Sequence, residues 1–178
     1  NELGVGLAMQ HLFDLGHRKI AHIAGRLDMQ DAIVRLQAYQ AFLRSKHIPY
    51  REDWVGMGQF TIEGGRKAMA ALLSLADPPT AVFCANDEMA IGALFEALSQ
   101  GKKVPADMSI AGFDMTPESA NVYPGLTTIR QPIGEMSAAA VRALLEVIEG
   151  RVPQEPTVFQ TELIVRESTS RPMEHTHE

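Results

Sequence analysis

Apolar residues recur at helical spacing over residues 4–15 (Leu7, Ala8, Leu12, Leu15), and Gly16 follows where a left-handed C-terminal cap is wanted. Residues 19–24, KIAHIA, form a short apolar run closed by Gly25, which predicts a buried strand. The helical period returns over 31–45 through Leu36, Tyr39, Phe42 and Leu43, until Ile48-Pro49 breaks it. A short strand is expected over 54–57. A helix over 61–75 follows, capped by Thr61, with Ala68, Met69, Leu72 and Leu73 as its apolar face. Asp77-Pro78-Pro79 stops it before a second buried strand, TAVFCA, which runs into a helix that Gly101 ends.

The same alternation continues to the carboxyl end. MSIAGF (108–113) is a strand, an irregular loop carrying Pro117 and Pro124 runs to Gly125, and 126–129 is another strand. A long helix spans 133–149, and Gly150 ends it. Residues 158–165 alternate as a closing strand, and from Ser168 the chain turns polar, ending in what reads as a disordered tail. Strands alternating with helices across short turns predict an α/β domain: a doubly wound, mostly parallel sheet with flanking helices. Ligands of such sheets bind beyond the carboxyl ends of the strands, at a topological switch point. That places the turns after Gly25, at Asn86 and after Gly112 on one rim.

Composition narrows the field. The chain has 178 residues with 46% hydrophobic and 21% charged positions, ordinary for a globular domain with a core that folds unaided. No run approaches the length of a membrane span. A net charge of −6 argues against direct nucleic-acid binding by this segment. The single cysteine, Cys84, sits inside a strand and reads as a buried spectator; a disulfide framework is impossible, which fits a reducing compartment.

Enzyme signatures are missing. No G-x-S-x-G elbow, Walker A loop, H-E-x-x-H helix or C-x-x-C pair occurs. Gly4-Val5-Gly6 lacks both the preceding strand and the third glycine of a dinucleotide fingerprint. His17 and His22 read as structural, and Asp87-Glu88 as carboxylates favouring a helix start rather than ligands of a hard cation. No metal site, cofactor or catalytic pair is expected.

The rim offers single polar groups on separate loops instead. Asn86 both donates and accepts, Asp114 accepts from hydroxyls, Arg35 presents a planar donor fork, and Phe60 offers an apolar ring face. Together these make a site for a polyol or sugar ring. Each residue also has a plainer role: Asn86 and Asp87 as helix caps, Asp114 as a turn former, Arg35 as a solvated helix residue.

Five segments carry a resemblance: LGHRKIAHIAG (15–25), PPTAVFCANDEMAIGAL (78–94), VPADMSIAGFD (104–114), PGLTTIRQP (124–132) and RESTSR (166–171). In this order and spacing, over residues 1–171, they resemble the LacI/GalR family of bacterial transcriptional regulators. The resemblance implies a periplasmic-binding-protein-like type I lobe. Residues 1–131 would form the C-terminal lobe of an effector-binding core, 132–158 would return to the N-terminal lobe, 159–170 would close the C-terminal lobe, and 171–178 would be a disordered tail. It also implies effector contacts at Arg35, Phe60, Asn86, Asp114 and Gln131, with Asp31 beside them. Met115 stands where the family usually has a second acidic residue.

From the same resemblance follow a cytoplasmic regulator, a sugar-like effector ahead of a nucleoside or purine, and operator DNA bound only through a helix-turn-helix outside this chain. A homodimer is implied, with contacts at Leu94, Leu98 and Tyr123. The helix over 133–149 would carry an apolar face (Met136, Ala140, Leu144, Ile148) that lacks its usual partner. The competing expectation is a periplasmic sugar receptor serving a transporter, which shares the fold and the Asn and Asp positions.

Overall fold

The computed structural model describes residues 1–152 and 158–173. Six strands make one sheet: β1 (Ile20–Ala24), β2 (Val55–Met57), β3 (Ala81–Cys84), β4 (Ser109–Asp114), β5 (Thr127–Arg130) and β6 (Glu162–Ile164). Their spatial order is β2-β1-β3-β4-β5-β6, all neighbours parallel except β6, which runs antiparallel to β5. The order reverses between β1 and β3, and there the connections leave for opposite sides and open a crevice.

Helices cover both faces because the strands are apolar on both. On one face α1 (Glu2–Asp14) and α2 (Gln30–Ser45) bury Val5, Met9, Leu12, Tyr39 and Leu43 against Ile20, Phe83, Phe113 and Ile129. On the other, α3 (Ile62–Leu73) and α4 (Asp87–Ser99) bury Met69, Leu72, Met89 and Leu94 against Ala21, Ile23, Val82, Cys84 and Ile110. Period-2 alternation sorts the strand residues: Phe83 and Phe113 face α1 and α2, while Val82, Cys84 and Ile110 face α3 and α4. Each fully buried phenylalanine contributes on the order of 2–3 kcal/mol. Thr61 caps α3 by accepting the Gly64 N–H at 3.0 Å, as its position predicts.

Two expectations change. The stretch 114–125 is not irregular throughout, since α5 (Pro117–Asn121) forms there with Pro117 at its start. The closing strand over 158–165 pairs only at Glu162–Ile164, because β5 offers four residues before Gln131-Pro132 leaves the sheet. The polar stretch from Ser168 is built into the fold. Ser168 is wholly buried, its Oγ donates to the Ile110 carbonyl at 2.6 Å and accepts the Thr127 N–H at 2.8 Å, and its own carbonyl accepts the Ile110 N–H. Of the expected tail, 171–173 are described and 174–178 lie outside the described residues.

The last helix, α6 (Ile133–Ile148), stands away from these layers with no buried residue. Met136, Leu144 and Ile148 are exposed, as is Ala140 on the same face. Among the described residues, no helix is long and apolar enough to cross a membrane.

Candidate functional site

The carboxyl ends of β1, β2, β3 and β4 meet at one rim. Main-chain bonds hold them level: Gly58 N–H to the Ala24 carbonyl at 2.8 Å and Ala85 N–H to the Ile23 carbonyl at 2.9 Å.

Arg35 rises from α2 into this rim and is 4% exposed. Its Nε donates to Asn1 Oδ1 at 2.9 Å and its Nη1 to the Ala85 carbonyl. The same Nη1 lies 3.7 Å from Asp114 Oδ1, and the guanidinium carbon sits 4.0 Å above the Phe113 ring. Burial lowers the Arg35 pKa, and the Asp114 and Asp31 charges oppose that. Arg35 is therefore a fixed, buried cation rather than a solvated helix residue.

Asp114 ends β4 with φ +113°, and Met115 follows at φ +59°, so the strand leaves the sheet through two residues in the left-handed region. Non-glycine residues adopt that conformation at a cost, and such positions cluster at ligand sites. Asp114 Oδ1 accepts from Gln131 Nε2 at 2.6 Å. Burial pushes the Asp114 carboxyl up to about 6, against the pull of Arg35 and the Gln131 hydrogen bond; Asp87 and Asp31 add to the rise. Asp31 is exposed and joins the cluster through Asn1, whose Nδ2 donates to Asp31 Oδ1 at 2.6 Å.

Asn86 and Phe60 stand on the neighbouring loops. Asn86 is the N-cap of α4, and its Oδ1 accepts the Met89 N–H at 3.0 Å. The cap and the rim position are thus compatible: one carboxamide atom is committed, and the plane of the group is fixed. Phe60, at φ +60°, lays its ring directly over Gly25. A Cβ at position 25 would collide with that ring, so the glycine is a steric requirement of the rim. The structure thus brings Arg35, Asp114 and Gln131 into one polar cluster, Asp114 bonded to Gln131 and ion-paired with Arg35, with Asp31 at its edge. Asn86 and Phe60 stand on the loops that follow β3 and β2 at the same end of the sheet.

Asp87 and Leu94 are placed differently from expectation. Asp87 does not complement the helix start from the surface, because it is fully buried and bonded to Thr128 and the Thr116 N–H. Burial raises its pKa. Leu94 is 0% exposed, since it lies on the face of α4 that carries Ala90 and Ala97 into the core. It has no surface to offer a partner. Phe95 and Leu98 point outward instead, at 46% and 41% exposure, and Tyr123 is 90% exposed.

Sequence reasoning missed Asn1, Phe113 and the Ala85 carbonyl as the groups that hold Arg35. Only Phe113 had a signal, since its alternation in β4 sends it toward the α2 face. His22, on that same face, stacks between Tyr39 (5.1 Å between centroids) and Phe83 (5.2 Å) and is structural.

Residues 9–169 match the family of periplasmic binding protein-like domains. Over 163 residues the chain is 44% identical to the HTH-type transcriptional repressor CytR of Escherichia coli K12, an alignment spanning 91% of this chain and 48% of that repressor. A solved LacI family transcriptional regulator from Mycobacterium smegmatis superposes with a TM-score of 0.89 at 36% identity, covering 97% of this chain and 64% of that one. A complex of the transcriptional regulator CelR with cellobiose superposes at 0.88 with 37% identity, covering 93% and 51%. The chain spans about half the length of the curated relatives it matches.

The chain belongs to the periplasmic binding protein-like domain family, with which its mostly parallel sheet of order β2-β1-β3-β4-β5-β6 agrees. Within that family it groups with the LacI/GalR regulators.

Proposed function

We propose that the chain is the C-terminal lobe of the effector-binding core of a LacI-type transcriptional regulator. The observation that carries this reading is the Arg35–Asp114–Gln131 cluster at the switch point, with Asn86 and Phe60 on flanking loops. A buried donor fork, a carboxylate, two carboxamides and one ring face suit a small neutral polyol, a sugar or sugar derivative, ahead of a nucleoside or purine. Ligand bridging two lobes would favour one relative orientation, and DNA-binding heads outside this chain would read that geometry. The segment 132–158 would return to the other lobe, which accounts for the bare apolar face of α6. Phe95, Leu98 and Tyr123 would contribute to a homodimer contact.

The protein works in the cytoplasm, without a cofactor and without catalysis. The curated relatives matched are repressors, which favours this reading over a periplasmic receptor.

The test is DNA retention with the intact regulator that contains this chain, on its own promoter, against a panel of monosaccharides, disaccharides and nucleosides. One member of the panel shifts operator affinity at least tenfold. No shift by any member, together with no operator binding, refutes the reading.

A further inference from the structure

Asp87 opens α4, yet the capping falls to Asn86 and the Asp87 carboxylate turns inward to 0% exposure. Its two oxygens serve two other segments. Oδ1 accepts the Thr128 hydroxyl of β5 at 2.5 Å, and Oδ2 accepts the Thr116 N–H at 2.8 Å. Space for the carboxylate exists because Gly112 of β4 lacks a side chain; a Cβ there would collide with Oδ1. Arg166 adds positive charge nearby and ties the same region together, donating to the Leu126 carbonyl at 2.7 Å and to Ser119 Oγ at 3.3 Å.

A carboxylate without water depends on its donors, and a donor that leaves exposes a full desolvation cost. Thr116 and Thr128 are held accordingly. Thr116 lies two residues beyond Asp114, on the far side of the left-handed turn at Asp114 and Met115. Thr128 lies three residues before Gln131. A strained turn persists only where its surroundings over-determine it, and Asp87 supplies the anchor on its outgoing side.

We propose that Asp87 is a positioning residue of the candidate site, pinning the 114–116 turn and the end of β5 so that the Asp114 carboxylate meets the Gln131 carboxamide. Its functional meaning rests on Asp114 and Gln131 being effector contacts, while the geometry is measurable with no ligand present.

The experiment is solution NMR on the 178-residue chain, comparing the unsubstituted protein with Asp87→Asn, Thr128→Val and Asp87→Ala. The groups facing Asp114 are Arg35 and Asp31 from α2, Asp87 from α4 and Gln131 beyond β5. In Asp87→Asn the shape stays and a like charge goes, so the Asp114 carboxyl carbon titrates at a lower pH than in the parent chain. A residue that merely filled space would leave that midpoint alone. In Thr128→Val the Gln131 side-chain amide resonances move toward those of a solvent-exposed amide. In Asp87→Ala the Thr116 amide exchanges about tenfold faster, the net worth of one hydrogen bond.

Asp87→Asn and Thr128→Val carry the test should Asp87→Ala not fold. An unchanged Asp114 midpoint in the first and unchanged Gln131 resonances in the second overturn the proposal. Shifts seen in a protein whose intact form binds no sugar or nucleoside uphold the positioning role and refute only the effector reading.

Discussion

Substituting His22 isolates a buried group whose protonation the fold opposes. His22 is 0% exposed on β1, and its Nδ1 must carry the proton, because its partner at 2.9 Å is the Phe83 carbonyl. Nε2 has no hydrogen-bond partner among the described residues. A second proton would place an N–H there with nothing to accept it, between two aromatic rings and near the Arg35 charge. Burial accordingly lowers the pKa to about 4, with Arg35 adding to the fall and the Phe83 bond opposing it. The folded-state pKa lies below the unfolded value near 6.5, so between those limits the unfolded chain binds the extra proton. Stability from this site is complete above about pH 6.5 and is lost as pH falls toward 4, by about 3 kcal/mol in total. The assay is urea unfolding of the parent chain and His22→Asn, which keeps a donor for the Phe83 carbonyl, at pH 7.5 and 4.5. Other titrating groups cancel in the comparison. The parent loses about 2–3 kcal/mol more than the variant on acidification. Equal losses in the two proteins would refute the reasoning.

Other substitutions test other parts of the account. Gly112→Ala forces a methyl against Asp87 Oδ1 and costs about 2–3 kcal/mol, lowering Tm by roughly 5–10 °C in calorimetry. Phe95→Asp with Leu98→Asp leaves the fold intact, since both side chains are exposed, and the proposed homodimer contact predicts that it shifts the intact regulator from dimer to monomer in sedimentation velocity; Leu94 lies too deep to serve in that test. The Cys84 thiol is buried and its pKa raised, chiefly by burial, so a disulfide-exchange reagent leaves it unmodified in the native protein and titrates one thiol after denaturation.

Much of the fold was legible because strand and helix periods are local properties. KIAHIA, TAVFCA and MSIAGF became β1, β3 and β4, and the Thr61 cap and the glycine stops marked the helix ends. The rim was legible in outline, because parallel sheets put their functional loops at one end. What the pattern could not reveal depends on three-dimensional partners. Asp87 reads as a helix-start carboxylate until Gly112 and Thr128, distant in sequence, are seen to enclose it. Ser168 reads only as the start of a polar stretch until its hydroxyl closes bonds to β4 and β5. Leu94 and Phe95 are adjacent apolar residues, and only the packing of α4 decides which faces the core. Residues 158–161 alternate like a strand but find no partner once β5 has ended.

Calorimetric titration of the intact regulator against a sugar and nucleoside panel, repeated with Asn86→Ala and Asp114→Ala, tests the central claim most directly. The claim predicts one ligand from the panel whose affinity falls at least tenfold in each variant, the cost of about 1.4 kcal/mol expected when a buried polar contact is removed. Binding unchanged in both variants would contradict it.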